Sequence, residues 1–178
     1  RTMNTLTRII RRAPRRLSAL VAIVAAAIVV PATLHATWGP ADRQTFTMEV
    51  PATHVTFNSM EKTPYGNELN FVQIRNFTDN GNFGEKVELT PGKEYEVKVY
   101  YHNNAADNFN GTNFDGPGVA RGAYMRVMMP REVKAGETGV VHGFVGATNA
   151  KHLDKANPSK DHGKQVWDDA QLLNNTGS

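Results

Sequence analysis

The sequence predicts an all-β domain of about seven strands, arranged as an antiparallel sandwich behind a hydrophobic N-terminal helix. After residue 37 the chain consists of short alternating apolar runs separated by Gly, Pro and Asn, which is typical of sandwiches and barrels. No long window places apolar residues at the 3.6-residue period of a helix, so helices should be minor. The seven predicted strands are His54–Phe57, Asn70–Arg75, Phe83–Leu89, Glu94–His102, Ala120–Met129, Val140–Gly146 and Lys164–Leu172.

Residues 1–37 are predicted to be a secretory signal peptide or a membrane anchor. Six arginines lie within the first 16 residues, and an uncharged apolar stretch of 18 residues follows from Leu17 to Leu34. Small residues close the stretch, so a signal peptidase would cut after Ala32 or Ala36. An uncleaved anchor stays an alternative, because 18 helical residues reach about 27 Å. In both cases residues 38–178 should be secreted or exposed on the cell surface.

The charge of the chain is concentrated in that first segment. The whole chain carries 20 basic and 17 acidic residues, but only 14 of the basic residues follow residue 16. The remainder is therefore mildly acidic, with its Lys and Arg scattered among carboxylates, and this argues against nucleic-acid binding. The chain has no cysteine, which excludes disulfides, thiolate nucleophiles and zinc ribbons.

A tight turn is predicted at Pro91 and Gly92, because Pro presets φ for the first central position and Gly tolerates positive φ at the second. The flanking runs could pair as an antiparallel hairpin. The next strand should alternate, with one face in the core and the other in solvent. The residues expected to face the core are Tyr95, Val97, Val99 and Tyr101.

The segment Leu89–Val99 resembles the L-x-P-G-x-x-Y-x-V-x-V stretch of fibronectin type III and related immunoglobulin-like domains. The resemblance implies an immunoglobulin-like sandwich in which Tyr95 forms a tyrosine corner, with its hydroxyl bonded to backbone a few residues upstream. The simple hairpin remains the alternative at this point.

Further segments resemble a family of secreted, uncharacterised bacterial proteins that share W-G-P, T-F-N-S, N-F-V and Y-x-H-N-N-A signatures. The matching stretches here are WGPADRQTFT, VTFNSM, NFVQIR, PGKEYEVKVYYHNNAA and VWDDAQL. The run AYMRVMMP also resembles a strand of repeated bacterial cell-surface modules. These resemblances imply an extracellular β domain of 38–178 that continues past Ser178, and they imply no activity.

The loop at residues 103–122 is the longest stretch without a strand pattern, and such loops are often functional. Its oxygen-bearing side chains make Asp107, Asn110 and Asp115 the calcium candidates, together with Asn104 and Asn113. The spacing does not match the helix-loop-helix calcium motif, and Asn and Asp also populate ordinary turns. Phe109 and Phe114 could instead stack on sugar rings, so a glycan-binding loop is a further interpretation.

Metal sites elsewhere have weaker support. The histidines lack metal-ligand spacing, and residues 151–164 are predicted to be a solvated loop. Copper would suit Met125, Met128, Met129 and His142. Strand alternation, however, separates Met128 from the other two methionines, so core packing is predicted for all three. Lys86 or Lys98 could form an isopeptide crosslink with an Asn beside a buried carboxylate.

The sequence contains no catalytic constellation. G-x-S-x-G is absent, and the adjacent Asp168 and Asp169 should point to opposite faces of a strand. We therefore expect a non-enzymatic surface module with a structural or adhesion role. Its partner would be a surface ligand or a neighbouring cell-wall component, and the alternative is calcium- or glycan-dependent binding through residues 103–122.

Overall fold

A computed structural model of the chain describes residues 37–176 and consists mostly of strands in two sheets. Its regular helix is limited to one 3-10 turn at Asp107–Phe109, which confirms the all-β prediction for this part of the chain. The strands are β1 (Val72–Asn76), β2 (Lys86–Glu88), β3 (Tyr95–Val99), β4 (Tyr124–Met128), β5 (Thr138–Gly146) and β6 (Gln165–Leu173).

The two sheets differ in size and in strand direction. β1 and β3 form an antiparallel pair, and the larger sheet has the order β2-β6-β5-β4. β5 pairs with its neighbours β4 and β6 in antiparallel fashion, whereas β2 runs parallel to β6. The prediction of a purely antiparallel arrangement is therefore wrong at β2. The reason is that β2 pairs with a strand from the far end of the chain and not with the strand that follows it.

The Pro91-Gly92 turn connects the two sheets and does not close a hairpin. Gly92 has a φ of 80°, and Lys93 donates its N–H to the carbonyl of Thr90 at 3.2 Å. Beyond the turn the Tyr95 hydroxyl accepts the Thr90 N–H at 2.7 Å and lies 3.2 Å from the Glu88 carbonyl. The hydroxyl thus fastens the start of β3 to the backbone just upstream, as the tyrosine-corner interpretation predicts.

Both sheets contribute to one hydrophobic core. Val72 of β1 packs so closely on Gly143 of β5 that a Cβ at that glycine would lie 2.3 Å from a Val72 methyl carbon. The buried members of this core are Val55, Phe57, Phe71, Val72, Ile74, Val141, Val145, Ala147, Ala150, Val166 and Ala170. On β6, Asp168 is buried and Asp169 is half-buried, and their side chains go to opposite faces, as predicted.

Six of the seven predicted strands exist, with ends that differ by a few residues. The seventh, His54–Phe57, is wrong, since the structure forms only isolated bridges there, such as Phe57 to Asn103. Polar side chains form hydrogen bonds with many of the backbone groups in this region, so regular hydrogen bonding between strands does not develop. Alternation along β3 also ends early: Tyr101 is exposed, and Tyr100 packs against the core instead.

The predicted signal segment, with its candidate cleavage positions Ala32 and Ala36, lies outside the described residues. Among residues 37–176, no helix is both long and apolar enough to cross a membrane.

Candidate functional site

Two polar segments of the chain lie side by side. The T-F-N-S segment at residues 56–59 runs next to the Y-x-H-N-N-A segment at residues 100–105. Asn104 donates its backbone N–H to Thr56, and its amide oxygen accepts the Ser59 N–H at 2.6 Å. The Asn58 side chain accepts the His102 N–H at 2.8 Å and donates to the Tyr100 carbonyl at 3.0 Å. Side-chain amides therefore replace the backbone hydrogen bonds of a regular strand pair and hold the two segments together.

A buried arginine also binds the T-F-N-S segment. Arg43 is almost completely buried, and its guanidinium donates to the Asn58 carbonyl at 2.8 Å and to the Pro40 carbonyl at 3.2 Å. It also lies 4.9 Å from the centre of the Trp38 ring. Burial lowers the pKa of Arg43 to about 10, with Asp168 opposing the shift. The W-G-P segment thus has a structural role, because its Trp38 ring and Pro40 carbonyl contact the buried Arg43 guanidinium.

The polar residue at the centre of the site is Glu68, which is buried. One carboxylate oxygen lies 2.7 Å from His102 Nδ1, and the other accepts the Asn104 amide N–H at 2.7 Å. The Tyr100 hydroxyl is a third, longer contact at 3.4 Å. A buried carboxylate needs such partners, because an unpaired charge away from water is strongly unfavourable.

These side chains form the floor of a cavity that we call the Glu68 pocket, with a volume of about 360 Å³. Its rim carries Tyr65, which is 88% exposed at the tip of a turn in which Thr63 and Gly66 exchange backbone hydrogen bonds. No Lys or Arg lies among its lining residues, which are Met48, Pro51, Met60, Thr63, Pro64, Tyr65, Glu68, Tyr100, His102, Asn103, Asn104, Ala105, Ala106 and Asp107. A second cavity of about 300 Å³ shares Tyr65, Glu68 and Tyr100 with it.

The electrostatics of the pocket follow from Glu68. Its hydrogen bond to His102 raises the pKa of that imidazole above the usual value, against the opposing effect of burial. Burial and the same carboxylate raise the pKa of Tyr100. The pocket therefore combines an anionic acceptor, an imidazole and amide groups with an exposed aromatic ring. Such a set suits a ligand that bears hydroxyl or amino groups and an apolar face.

The predicted calcium residues differ in burial and in their contacts. Asp107 is exposed on the wall of the Glu68 pocket, and Asn110 ends the 3-10 turn. Asp115 is exposed, and an oxygen of its carboxylate lies close to Gly111. The Asn104 side chain is already hydrogen-bonded to Ser59 and Glu68. The remaining loop candidates, Asn113 and Phe114, are exposed, and Phe109 is half-buried. The calcium site stays a prediction, and only the start of the loop reaches the pocket.

Asp42, Asp154 and His162 form the one group of three or more acidic or histidine side chains, within residues 37–176, whose ligand atoms lie within 4.8 Å of one another. Lys160 contacts one oxygen of each carboxylate, at 3.1 and 3.4 Å. Backbone N–H groups at residues 156–157 and the Lys160 ammonium lower the pKa of Asp154. Because Lys160 already supplies the positive charge that a metal would bring, we interpret the group as an ion-pair cluster.

Residues 151–164 form an irregular and largely exposed segment, as the sequence predicts, but two of its polar residues, His152 and Asp154, are buried. His152 is only 1% exposed; its Nε2 accepts the Phe57 N–H at 3.2 Å, and its Nδ1 lies 2.9 Å from the Gly163 carbonyl. Burial lowers the pKa of His152 to about 4. Asp154 is buried as well. Polar composition did not reveal these two buried residues, because their side chains are bonded to backbone inside the fold.

The core-packing prediction for the three clustered methionines is also wrong. Met125, Met128 and Met129 are each at least half exposed, since β4 is the edge strand of its sheet. Met128, Met129 and His142 line one cavity, whereas Met125 lines another.

The isopeptide hypothesis required a Lys beside a buried carboxylate. Lys86 and Lys98 are both exposed, and the Lys98 ammonium lies over the Phe83 ring at 4.5 Å. The structure therefore places neither lysine where such a crosslink needs it.

The chain matches no protein-family model, no curated protein and no solved structure. The site is therefore interpreted from its own geometry. Sequence reasoning had singled out His102 and Asn104 through the segment that contains them, but it missed Glu68. No local pattern marks this residue, because its partners lie more than 30 positions away.

Proposed function

We propose that the chain is an exported, non-enzymatic surface module with an immunoglobulin-like sandwich, and that it adheres to a saccharide through the Glu68 pocket. The observation that carries the proposal is the buried Glu68 carboxylate, held by His102 and Asn104 at the floor of an open cavity with Tyr65 at its rim. Sugar hydroxyls hydrogen-bond to carboxylate, imidazole and amide groups, and the apolar face of a sugar ring packs on an aromatic side chain.

The charge of the pocket narrows the class of saccharide. Glu68 and Asp107 both line it, and no basic side chain other than His102 does so. An acidic sugar would bring a second negative charge to a carboxylate without a Lys or Arg to balance it. We therefore propose neutral sugars or amino sugars as the ligands. The resemblance to secreted bacterial proteins and the signal-like first segment support a role outside the cell.

The proposal is tested by applying the full chain, kept in mild detergent, to an array of neutral, amino and acidic glycans. We expect retention on neutral or amino glycans. Tyr65→Ala should weaken binding about tenfold, because one aromatic contact is worth on the order of 1 kcal/mol. Tyr101→Ala is the matched control, since Tyr101 is an exposed tyrosine outside the pocket.

Three outcomes would overturn the proposal. Binding to no glycan above background would show that the ligand is not a saccharide. Equal binding by the Tyr65→Ala and wild-type proteins would show that the Glu68 pocket is not the binding site. Release of reducing ends during incubation, abolished by Glu68→Gln, would show that the site is a hydrolase and not an adhesion site.

A further inference from the structure

A second site, separate from the Glu68 pocket, lies where β4 meets β5. Met128 is the direct antiparallel partner of His142. Directly opposed residues of such a pair point to the same face, with their Cβ atoms about 5 Å apart. The next pair on that face confirms the direction, because the Arg126 guanidinium lies 4.7 Å from the centre of the Phe144 ring. The Met128 thioether and the His142 imidazole therefore share one face of the sheet.

Met129 joins these two residues on the wall of the same cavity, which has a volume of about 410 Å³. Methionine usually fills gaps in a core, but Met128 and Met129 are 50% and 60% exposed. Core packing therefore does not explain why two methionines line this cavity together with a histidine. Strand alternation would have separated them, but Met129 follows the last residue of β4, where the ladder has ended.

His142 is oriented like a metal ligand. Its Nδ1 lies 2.7 Å from an oxygen of Asp169, whose other oxygen accepts the Thr37 hydroxyl at 3.1 Å. When Nδ1–H donates to a carboxylate, the lone pair that can bind a metal is on Nε2. Carboxylates that hold and polarise a ligating imidazole in this manner recur behind metal centres.

We propose that Met128, Met129 and His142 bind one Cu(I) ion, with Asp169 as the positioning residue for the imidazole. Two thioethers and one imidazole are a soft ligand set, which suits Cu(I) better than zinc, calcium or magnesium. Glu132 and Glu137 also line the cavity and offer hard oxygen ligands. A site built on those carboxylates and His142 would prefer Zn(II), and this difference makes the assignment testable.

The test is an anaerobic titration of the full chain with Cu(I) against a chromogenic Cu(I) chelator. We expect one Cu(I) per chain. Met128→Leu, Met129→Leu and His142→Gln should each lower the affinity at least about tenfold, and Asp169→Asn about tenfold, as for other residues behind a ligand. Met125→Leu is the matched control, because Met125 lies on the same strand, is equally exposed and is outside the cavity.

X-ray absorption at the copper edge should show sulfur together with nitrogen neighbours. Cu(I) should also raise the thermal midpoint of the wild-type chain but not that of His142→Gln, while the midpoints without metal stay alike. The proposal fails if no Cu(I) competes with the chelator, or if Met125→Leu weakens binding as much as Met128→Leu. It also fails if Zn(II) binds in preference and the Met128 and Met129 substitutions have no effect.

Discussion

Single side chains hold this fold by bonding to the backbone of other segments. Asn58 and Asn104 tie two segments together where strands would otherwise be needed, and Tyr95 ties β3 to the backbone that precedes it. Each case satisfies a backbone donor or acceptor that would lose its partner if the side chain were removed. The cost of leaving such a group unsatisfied exceeds the net gain from an average hydrogen bond. Individual polar residues should therefore be sensitive positions.

Tyr95→Phe tests this at the corner between the sheets. The substitution keeps the ring and removes only the hydroxyl that contacts Thr90 and Glu88, so we expect the free energy of unfolding to fall by about 1 kcal/mol. Urea denaturation measures the change. Tyr101→Phe is the control, since the Tyr101 side chain is exposed and its change should have almost no effect. Equal effects of the two substitutions would contradict the structural role of Tyr95.

At the scale of elements, the two sheets can approach because β5 carries a glycine where β1 presents a valine. Gly143 is buried opposite Val72, and the space that a side chain would need is already filled. Core packing at this density has little freedom to move, so one added methyl group forces strands apart. The edge of the larger sheet is packed differently, since all five residues of β4 are exposed.

Gly143→Ala should therefore destabilise the protein by roughly 1 to 3 kcal/mol, because the new methyl group would overlap Val72. Chemical denaturation gives the free energy of unfolding. Gly84→Ala is the matched control, because the nearest atom to a new Cβ there lies 3.8 Å away, at ordinary contact distance. A double variant, Gly143→Ala with Val72→Ala, should recover part of the loss if overlap is the cause. No recovery would contradict this packing argument.

At the scale of the whole molecule, two buried titratable groups oppose each other in their effect on stability. Burial lowers the pKa of His152 to about 4 from 6.5, so the stability it contributes is present above pH 6.5 and is lost as pH falls towards 4. Burial raises the pKa of Asp168 to about 7 from 3.8, so the folded state is favoured at low pH and loses stability as pH rises from 3.8 to 7.

If either residue is substituted, the pH dependence of stability that remains should be that of the other residue. Asp168→Asn keeps an acceptor for the Val72 N–H, and it should be more stable than the wild type at pH 8 by an amount on the order of a few kcal/mol. That advantage should shrink as pH falls from 7 to 4. His152→Gln should show the opposite trend and gain on the wild type as pH falls below 6.5. Urea unfolding from pH 4 to 8 measures both differences, and parallel pH profiles for all three proteins would contradict them.

The sequence by itself determined the strand-rich fold, the position of six strands and the Pro91-Gly92 turn. These features depend on alternation and on backbone preferences, which act between near neighbours in the chain. The predictions about a signal segment and an exported domain also depend on local composition.

Only the tertiary structure decided the parallel pairing of β2 with β6, the burial of His152 and the exposure of the methionines on β4. It alone brought Glu68 to His102 and Asn104, since these residues approach one another only when distant segments pack together. It also showed that Met128, Met129 and His142 line one cavity where β4 pairs with β5. Local residue patterns carry no information on which far segment will be the neighbour. The Glu68 pocket depends on that pairing of distant segments.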